Sequence, residues 1–249
     1  MTSRHPATML AGVALMALLA FTALPVAAQN AEAEKPAAEQ SAAPTEATAQ
    51  AEETSPVPAT NVYAIFMTSM GNFTAKLEME RAPRTAANFK GLAEGSLPFV
   101  DPQTRQRVTR PYYDGLVFHR VARNFVIQGG CPQGNGRGGP GHSIDLEIHP
   151  ELRHTKGALS MARSPSDPNS AGSQFFVTLA PTPPLDGGYA VFGYVIDGQD
   201  VVDAIGQVPI RPQMGPTDGR PVEDVRMNRV VIVEGDDAAW RARLAELTQ

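Results

Sequence analysis

From Asn61 onward the apolar residues come in short runs, and glycine or proline interrupts almost every one of them. With 22 Gly and 22 Pro in 249 residues, the loops are many and the regular elements brief. Val62 to Thr68 is apolar and β-rich, and Met70-Gly71-Asn72 marks a tight turn after it. Phe73, Ala75, Leu77 and Met79 then alternate with Asn72, Thr74, Lys76 and Glu78, the period of a half-buried strand, so the pair reads as a hairpin. Pro83 suits the first turn of a helix whose face carries Ala86, Phe89 and Leu92, and Gly95 ends it. Further strands are expected at Val117–Val121, Phe125–Gln128, Ala158–Ala162, Gln174–Leu179, Ala190–Val195 and Arg226–Val233, with a second short helix at Asp200–Ile205. Many short strands with few helices predict a mainly β fold, a closed antiparallel barrel.

The first sixty residues have a different composition. Arg4 and His5 precede an apolar run from Met9 to Leu24, and Val26-Ala27-Ala28 supplies the small residues of a signal-peptidase site. Residues 1–28 therefore read as a signal peptide cleaved before Gln29. The run is shorter than the roughly 20 residues of a spanning helix. No membrane association is expected after cleavage, and the expected compartment is the periplasm. Residues 29–60 read as a disordered acidic linker rich in Ala, Glu and Pro, with no aromatic residue to anchor a core. Six Glu and one Lys between Gln29 and Pro58 match the chain's whole formal net charge of −5, so the remainder is near neutral. The folded domain is expected over 61–235. A short C-terminal helix or tail follows at 236–249, carrying the single tryptophan, Trp240.

Several chemistries are excluded by residue type and spacing. Nothing forms the basic footprint of a nucleic-acid binder. Cys131 is the one cysteine and reads as a small packed side chain. Gly134-Asn135-Gly136-Arg137-Gly138-Gly139 matches a dinucleotide-binding pattern, but Pro140-Gly141 follows and no helix opens there, so it reads as a loop. His149 and His154 are spaced wrongly for one helical face, and no His-Glu-x-x-His motif or cysteine pair occurs, so no metal site is expected. Ser173 does not sit in a Gly-x-Ser-x-Gly elbow.

Two segments remain. The first is Phe118-His119-Arg120-Val121 followed by Asn124-Phe125-Val126-Ile127-Gln128-Gly129-Gly130. The second runs through Met161-Ala162-Arg163, Asn169 to Val177, Leu185-Asp186-Gly187 and Val191-Phe192-Gly193. In strands alternate residues share a face, so Phe118 and Arg120 are expected to point one way and His119 the other, and Gln174 and Phe176 to lie together. Together the segments resemble the cyclophilin family, in order, from about Val62 to Val233. The resemblance implies an eight-stranded antiparallel barrel capped by two helices.

The same resemblance implies a peptidyl-prolyl cis–trans isomerase that uses no cofactor. Arg120 matches the family's catalytic donor to the prolyl nitrogen. Phe125, Val126, Phe176 and Leu185 match the proline pocket, and Gln128 the glutamine that holds the substrate carbonyl. Ala162, Arg163 and Gln174 match positions flanking the bound peptide. Tyr189 stands where histidine is common, Val126 where methionine is usual, Pro184 where many members carry an aromatic, and Arg163 where asparagine is usual. Phe99–Arg110 looks like an inserted loop. The expected partners are proline-containing peptides and unfolded exported proteins, and the expected state is a monomer. The alternative is a non-catalytic peptide-binding or chaperone module on the same barrel. Arg120 discriminates, since pure binding needs the pocket but no donor at the nitrogen.

Overall fold

The computed structural model describes residues 60–249. The expected signal peptide and nearly all of the expected linker lie outside the described residues. Ten strands form one sheet. In chain order they are β1 (Asn61–Thr68), β2 (Gly71–Leu77), β5 (Arg120–Ala122), β6 (Val126–Gly129), β7 (Ala158–Met161), β8 (Phe175–Thr178), β9 (Val191–Asp197), β10 (Ile210–Pro212), β11 (Asp218–Pro221) and β12 (Met227–Gly235). Their spatial order is β10-β11-β5-β6-β8-β7-β9-β2-β1-β12, and every pairing is antiparallel. A separate two-stranded hairpin, β3 (Phe99–Val100) with β4 (Arg107–Val108), occupies the segment expected as an inserted loop.

The mainly β expectation holds, and the strands expected from alternation are present with shifted ends. Four short strands (β3, β4, β10 and β11) give no sequence signal. They are two to four residues long, too short to show a period, and β10 and β11 also carry Pro, Gly and charged residues. The sheet order has two ends rather than a closed circuit. Beside it, Val117 bridges Arg226, the Phe118 N–H donates to the Val225 carbonyl and the Met227 N–H donates to the Leu116 carbonyl.

Helix α1 (Pro83–Glu94) begins with Pro83 in its first turn and stops at Gly95, whose φ of 78° is left-handed. A side chain at Gly95 would collide with the Arg110–Pro111 backbone, so this turn requires glycine. Ala86, Phe89 and Leu92 face inward as the spacing predicts. Phe89 meets Tyr113, Phe175 and Phe192 at ring distances of 4.8, 5.6 and 5.1 Å, so α1 plugs an aromatic core. Helix α2 (Gln199–Ile205) buries Val202 and Ile205. Helix α3 (Asp237–Leu247) is capped by Asp236, which accepts from the Ala239 N–H. It packs buried Trp240 toward Tyr63, whose hydroxyl donates to Asp237.

Candidate active site

The register of three neighbouring strands builds the site. Arg120 on β5 lies opposite Gln128 on β6, which lies opposite Phe176 on β8, which lies opposite Ser160 on β7. Directly opposed residues share a face. The adjacent row, Val121, Ile127, Val177 and Leu159, is fully buried in the main core. Arg120, Gln128 and Phe176 therefore stand on the other side of the sheet. Here the single-strand reading needs correction. Phe118 does not share the face of Arg120, because β5 begins only at Arg120 and the chain at Phe118–His119 is irregular. Phe118 turns into the main core against Phe175, while His119 is also buried.

On the outer face a second apolar cluster forms, apart from the main core. Ala122, Val126 and Phe176 are buried, with Phe125, Ala162, Leu185 and Tyr189 packed around them. Phe125 sits in the β5–β6 turn, which the left-handed Asn124 (φ 58°) makes possible. Leu185 ends a 3₁₀ turn, Pro183–Leu185, that also places Pro184 at the surface. The Tyr189 ring meets Phe176 edge-on at 5.8 Å. The cluster floors a groove of about 480 Å³ that Arg120, Gln128 and Arg163 also line. Of the expected pocket residues, all of Phe125, Val126, Ala162, Phe176, Leu185 and Tyr189 come together. Ala122 was missed, because alanine in a strand carries no signal of its own.

The polar side of the groove is one continuous hydrogen-bonded chain. Arg120 donates from Nε and Nη2 to the two carboxylate oxygens of Asp218, at 2.9 and 2.7 Å, and from Nη1 to Gln128 Oε1 at 3.1 Å. Gln128 Nε2 donates to Gln174 Oε1 at 3.1 Å. Gln174 Nε2 donates to the Gly136 and Gly138 carbonyls, both at 2.9 Å. The direction of the chain follows from its ends. Carbonyls accept only, so Gln174 must turn its amide nitrogen to the glycine loop and its oxygen to Gln128. Gln128 then offers its oxygen to the guanidinium, and one of its two N–H groups has no partner among the described residues. Asp218 lies 98 residues from Arg120 and gives no signal in the sequence, since an isolated aspartate in a Gly/Pro-rich stretch looks like a turn residue.

Arg163 lies over the Tyr189 ring, 4.6 Å from its centroid, and donates to the Gly188 and Ser164 carbonyls at 2.8 and 2.9 Å. It lines both the groove and an adjoining pocket of about 740 Å³ along the glycine-rich loop. The backbone N–H of Ala162 donates to the Gln174 carbonyl, which ties these two flanking positions together. Behind Phe176, the His154 imidazole pairs with Asp186 through Nδ1 at 2.8 Å and with Ser160 through Nε2 at 3.0 Å. His119 borders the groove, and neither ring nitrogen has a hydrogen-bond partner among the described residues. Burial, aided by the charges of Arg220 and Arg120, pushes its pKa down to about 4.

A family model described as cyclophilin type peptidyl-prolyl cis-trans isomerase matches residues 63–232. Peptidyl-prolyl cis-trans isomerase B of Streptomyces anulatus is 44% identical over 176 residues, covering 70% of this chain and 98% of that protein. Peptidyl-prolyl cis-trans isomerase A of Mycobacterium tuberculosis is 40% identical over 173 residues, covering 69% and 94%. The crystal structure of a Cryptosporidium parvum cyclophilin type peptidyl-prolyl cis-trans isomerase superposes with a TM-score of 0.59 at 30% identity, covering 71% of this chain and 99% of that one. A second crystal structure of the Cryptosporidium enzyme, determined in the presence of the dipeptide Ala-Pro, matches with a TM-score of 0.58 at 31% identity. Sequence, fold and the construction of the groove agree, and the chain belongs to the cyclophilin-type peptidyl-prolyl cis–trans isomerase family.

Proposed function

We propose that this protein catalyses cis–trans isomerisation of X-Pro bonds in proteins folding outside the cytoplasm, and that Arg120 is its catalytic residue. The observation that carries the reading is the placement of a guanidinium held by Asp218 and Gln128 beside a groove floored by the Phe125, Val126, Phe176 and Leu185 side chains, with a further amide N–H on Gln128 next to it.

Rotation about the peptide bond is slow because the nitrogen lone pair is delocalised into the carbonyl, which creates a barrier of about 18–20 kcal/mol. In the twisted transition state the nitrogen becomes pyramidal and regains its lone pair. A donor aimed at that nitrogen gains an acceptor only then, so it lowers the barrier without tightening the ground state. Phe125, Val126, Phe176 and Leu185 hold the proline ring in this reading, and Gln128 holds the carbonyl. Arg163, Gln174, Ala162 and Tyr189 border the peptide on either side. No bond breaks, so the step needs no nucleophile.

Periplasmic location rests on the leader-like residues 1–28 and the acidic linker after them. Unfolded exported chains are then the natural clients, and the enzyme acts as a monomer. The sheet is read as a barrel closed at the Val117–Arg226 bridge, where the lead-ins to β5 and β12 meet. The test of activity is an exchange measurement by NMR on an X-Pro peptide, with Arg120→Ala as control. Acceleration by the wild type that Arg120→Ala abolishes supports the reading, and equal exchange with both refutes it. Intact-mass measurement of the exported form tests the location. A chain beginning at Gln29 supports it, and a mass retaining residues 1–28 refutes it.

A further inference from the structure

We propose that Asp218 is a positioning residue for catalysis: its bidentate ion pair with Arg120, opposed by Gln128, holds the guanidinium in its working orientation. The inference rests on Arg120 being the catalytic donor and names what makes it one.

An arginine side chain is long and loses about 2 kcal/mol of rotamer entropy when fixed. A lone arginine on a strand would sweep across the groove, and little of its time would be spent aimed at one point. Here it is gripped on two sides. The Nε and Nη2 groups meet Asp218, and Nη1 meets Gln128. Of the five N–H donors of a guanidinium, these bonds use three. Two remain for a ligand, one on each terminal nitrogen, in a plane that the two partners define.

The carboxylate itself is set by the ladder. Strand β11 pairs with β5 so that Asp218 lies opposite Ala122 and Gly219 opposite Val121. Asp218 is thus the diagonal neighbour of Arg120, a distance that a long side chain spans. Ala122 opposite it has no bulk to intervene. The backbone at Asp218 is tied down as well, because its carbonyl accepts from the Gln213 and Met214 N–H groups at 2.9 and 3.1 Å. The β10–β11 hairpin, which looks like a surface connection, therefore delivers one carboxylate to the edge of the groove. Asp218 is the one ion-pair partner of Arg120 among the described residues, and the pair is only partly open to solvent, 25% for Arg120 and 17% for Asp218.

The opposite role is also physically coherent. A carboxylate so close to the guanidinium draws on its positive charge, which would weaken it as a donor. The two roles predict opposite signs, and positioning predicts loss on removal. Displacing a reacting group by about 1 Å costs on the order of 10²-fold. Asp218→Ala is therefore expected to lower kcat/KM about 10- to 100-fold, almost wholly in kcat, with KM changed less than about twofold. Asp218→Asn keeps the shape and one acceptor oxygen and is expected to lose less.

The experiment is a double-mutant cycle on the purified protein, with NMR exchange supplying kcat and KM separately. Asp218→Ala and Asp218→Asn are each compared with wild type, and Asp218→Ala is repeated in Arg120→Ala. A positioning residue acts through its target, so the expected result is no further loss in the Arg120→Ala background. Wild-type or raised kcat in either folded Asp218 variant would overturn the proposal. So would an equal loss in both backgrounds, which a structural effect would cause. Far-UV dichroism and the urea midpoint establish folding, and if Asp218→Ala does not fold, Asp218→Asn decides alone. Full activity in Arg120→Ala itself would instead refute the reading of Arg120, whatever Asp218 does.

Discussion

The His154 imidazole lies nearly parallel to the Phe176 ring, with centroids 5.8 Å apart and planes 16° from coincidence. Asp186 and Ser160 hold the imidazole at its two nitrogens, so the wall behind the apolar groove is itself hydrogen-bonded into place. Phe176 is 5% exposed and belongs to the groove cluster rather than to the main core. Phe176→Ala should cost about 3–5 kcal/mol of stability, as removal of a buried phenylalanine usually does. Peptide affinity should fall with it. Urea unfolding and calorimetric titration with an Ala-Pro peptide measure the two effects, and wild-type affinity in the variant would place Phe176 outside the binding surface.

Arg120→Ala should lower kcat/KM by roughly 10²–10³, the scale for losing a preorganised electrostatic donor. Arg120→Lys should recover little, because a single ammonium cannot span Asp218 and Gln128 at once. Dichroism should show both variants folded, since the side chain lies outside the main core. A Lys variant with near-wild-type turnover would mean that charge alone suffices.

Stability should fall with acid below about pH 6.5. The His119 pKa drops from an unfolded value near 6.5 to about 4, first through burial and then through the charges of Arg220 and Arg120. Between those values the unfolded chain binds a proton that the folded chain does not, so stability rises with pH there. The contribution is complete above about pH 6.5 and is lost as pH falls toward 4, by up to about 3 kcal/mol. Burial lowers the His142 and His154 pKa values too, so both add in the same sense. Urea midpoints at pH 7.5, 6 and 5 test this, with His119→Asn expected to flatten the profile. A wild-type midpoint that does not move over this range would contradict it.

Arg163 should give the enzyme a preference for acidic substrates. Arg163 lines two hollows at once, and the described residues lining the adjoining pocket include no carboxylate. The carboxylate on the neighbouring loop, Asp167, already accepts from the Asn169 N–H. A Glu side chain near the proline should raise kcat/KM about two- to fivefold over Gln, in line with an ion pair worth a fraction of a kcal/mol to 1 kcal/mol. Paired peptides assayed at low and high salt measure it. The preference should vanish in Arg163→Ala and weaken in salt, and an equal Glu/Gln ratio in wild type and variant would sink the idea.

Local order is legible in the sequence by itself. The β1–β2 hairpin, the proline-opened and glycine-closed helix α1, and the apolar faces of the longer strands all follow from the period of residues a few places apart. The residues of the groove are legible as well, but through family likeness rather than periodicity, since no period links Phe125 to Leu185 or Gln128 to Gln174. Tertiary structure decided the rest. The ladder register, not the order of residues within a strand, put Asp218 beside Arg120 and Phe176 beside Gln128. Alternation fails at Phe118 because it applies only inside a regular strand, and the chain becomes one only at Arg120. Asp186 and Ser160 reach His154 from segments 32 and 6 residues away. Such pairings depend on which strands become neighbours, and that is set by burying the whole sheet's inner face at once, a condition that no short stretch of sequence contains.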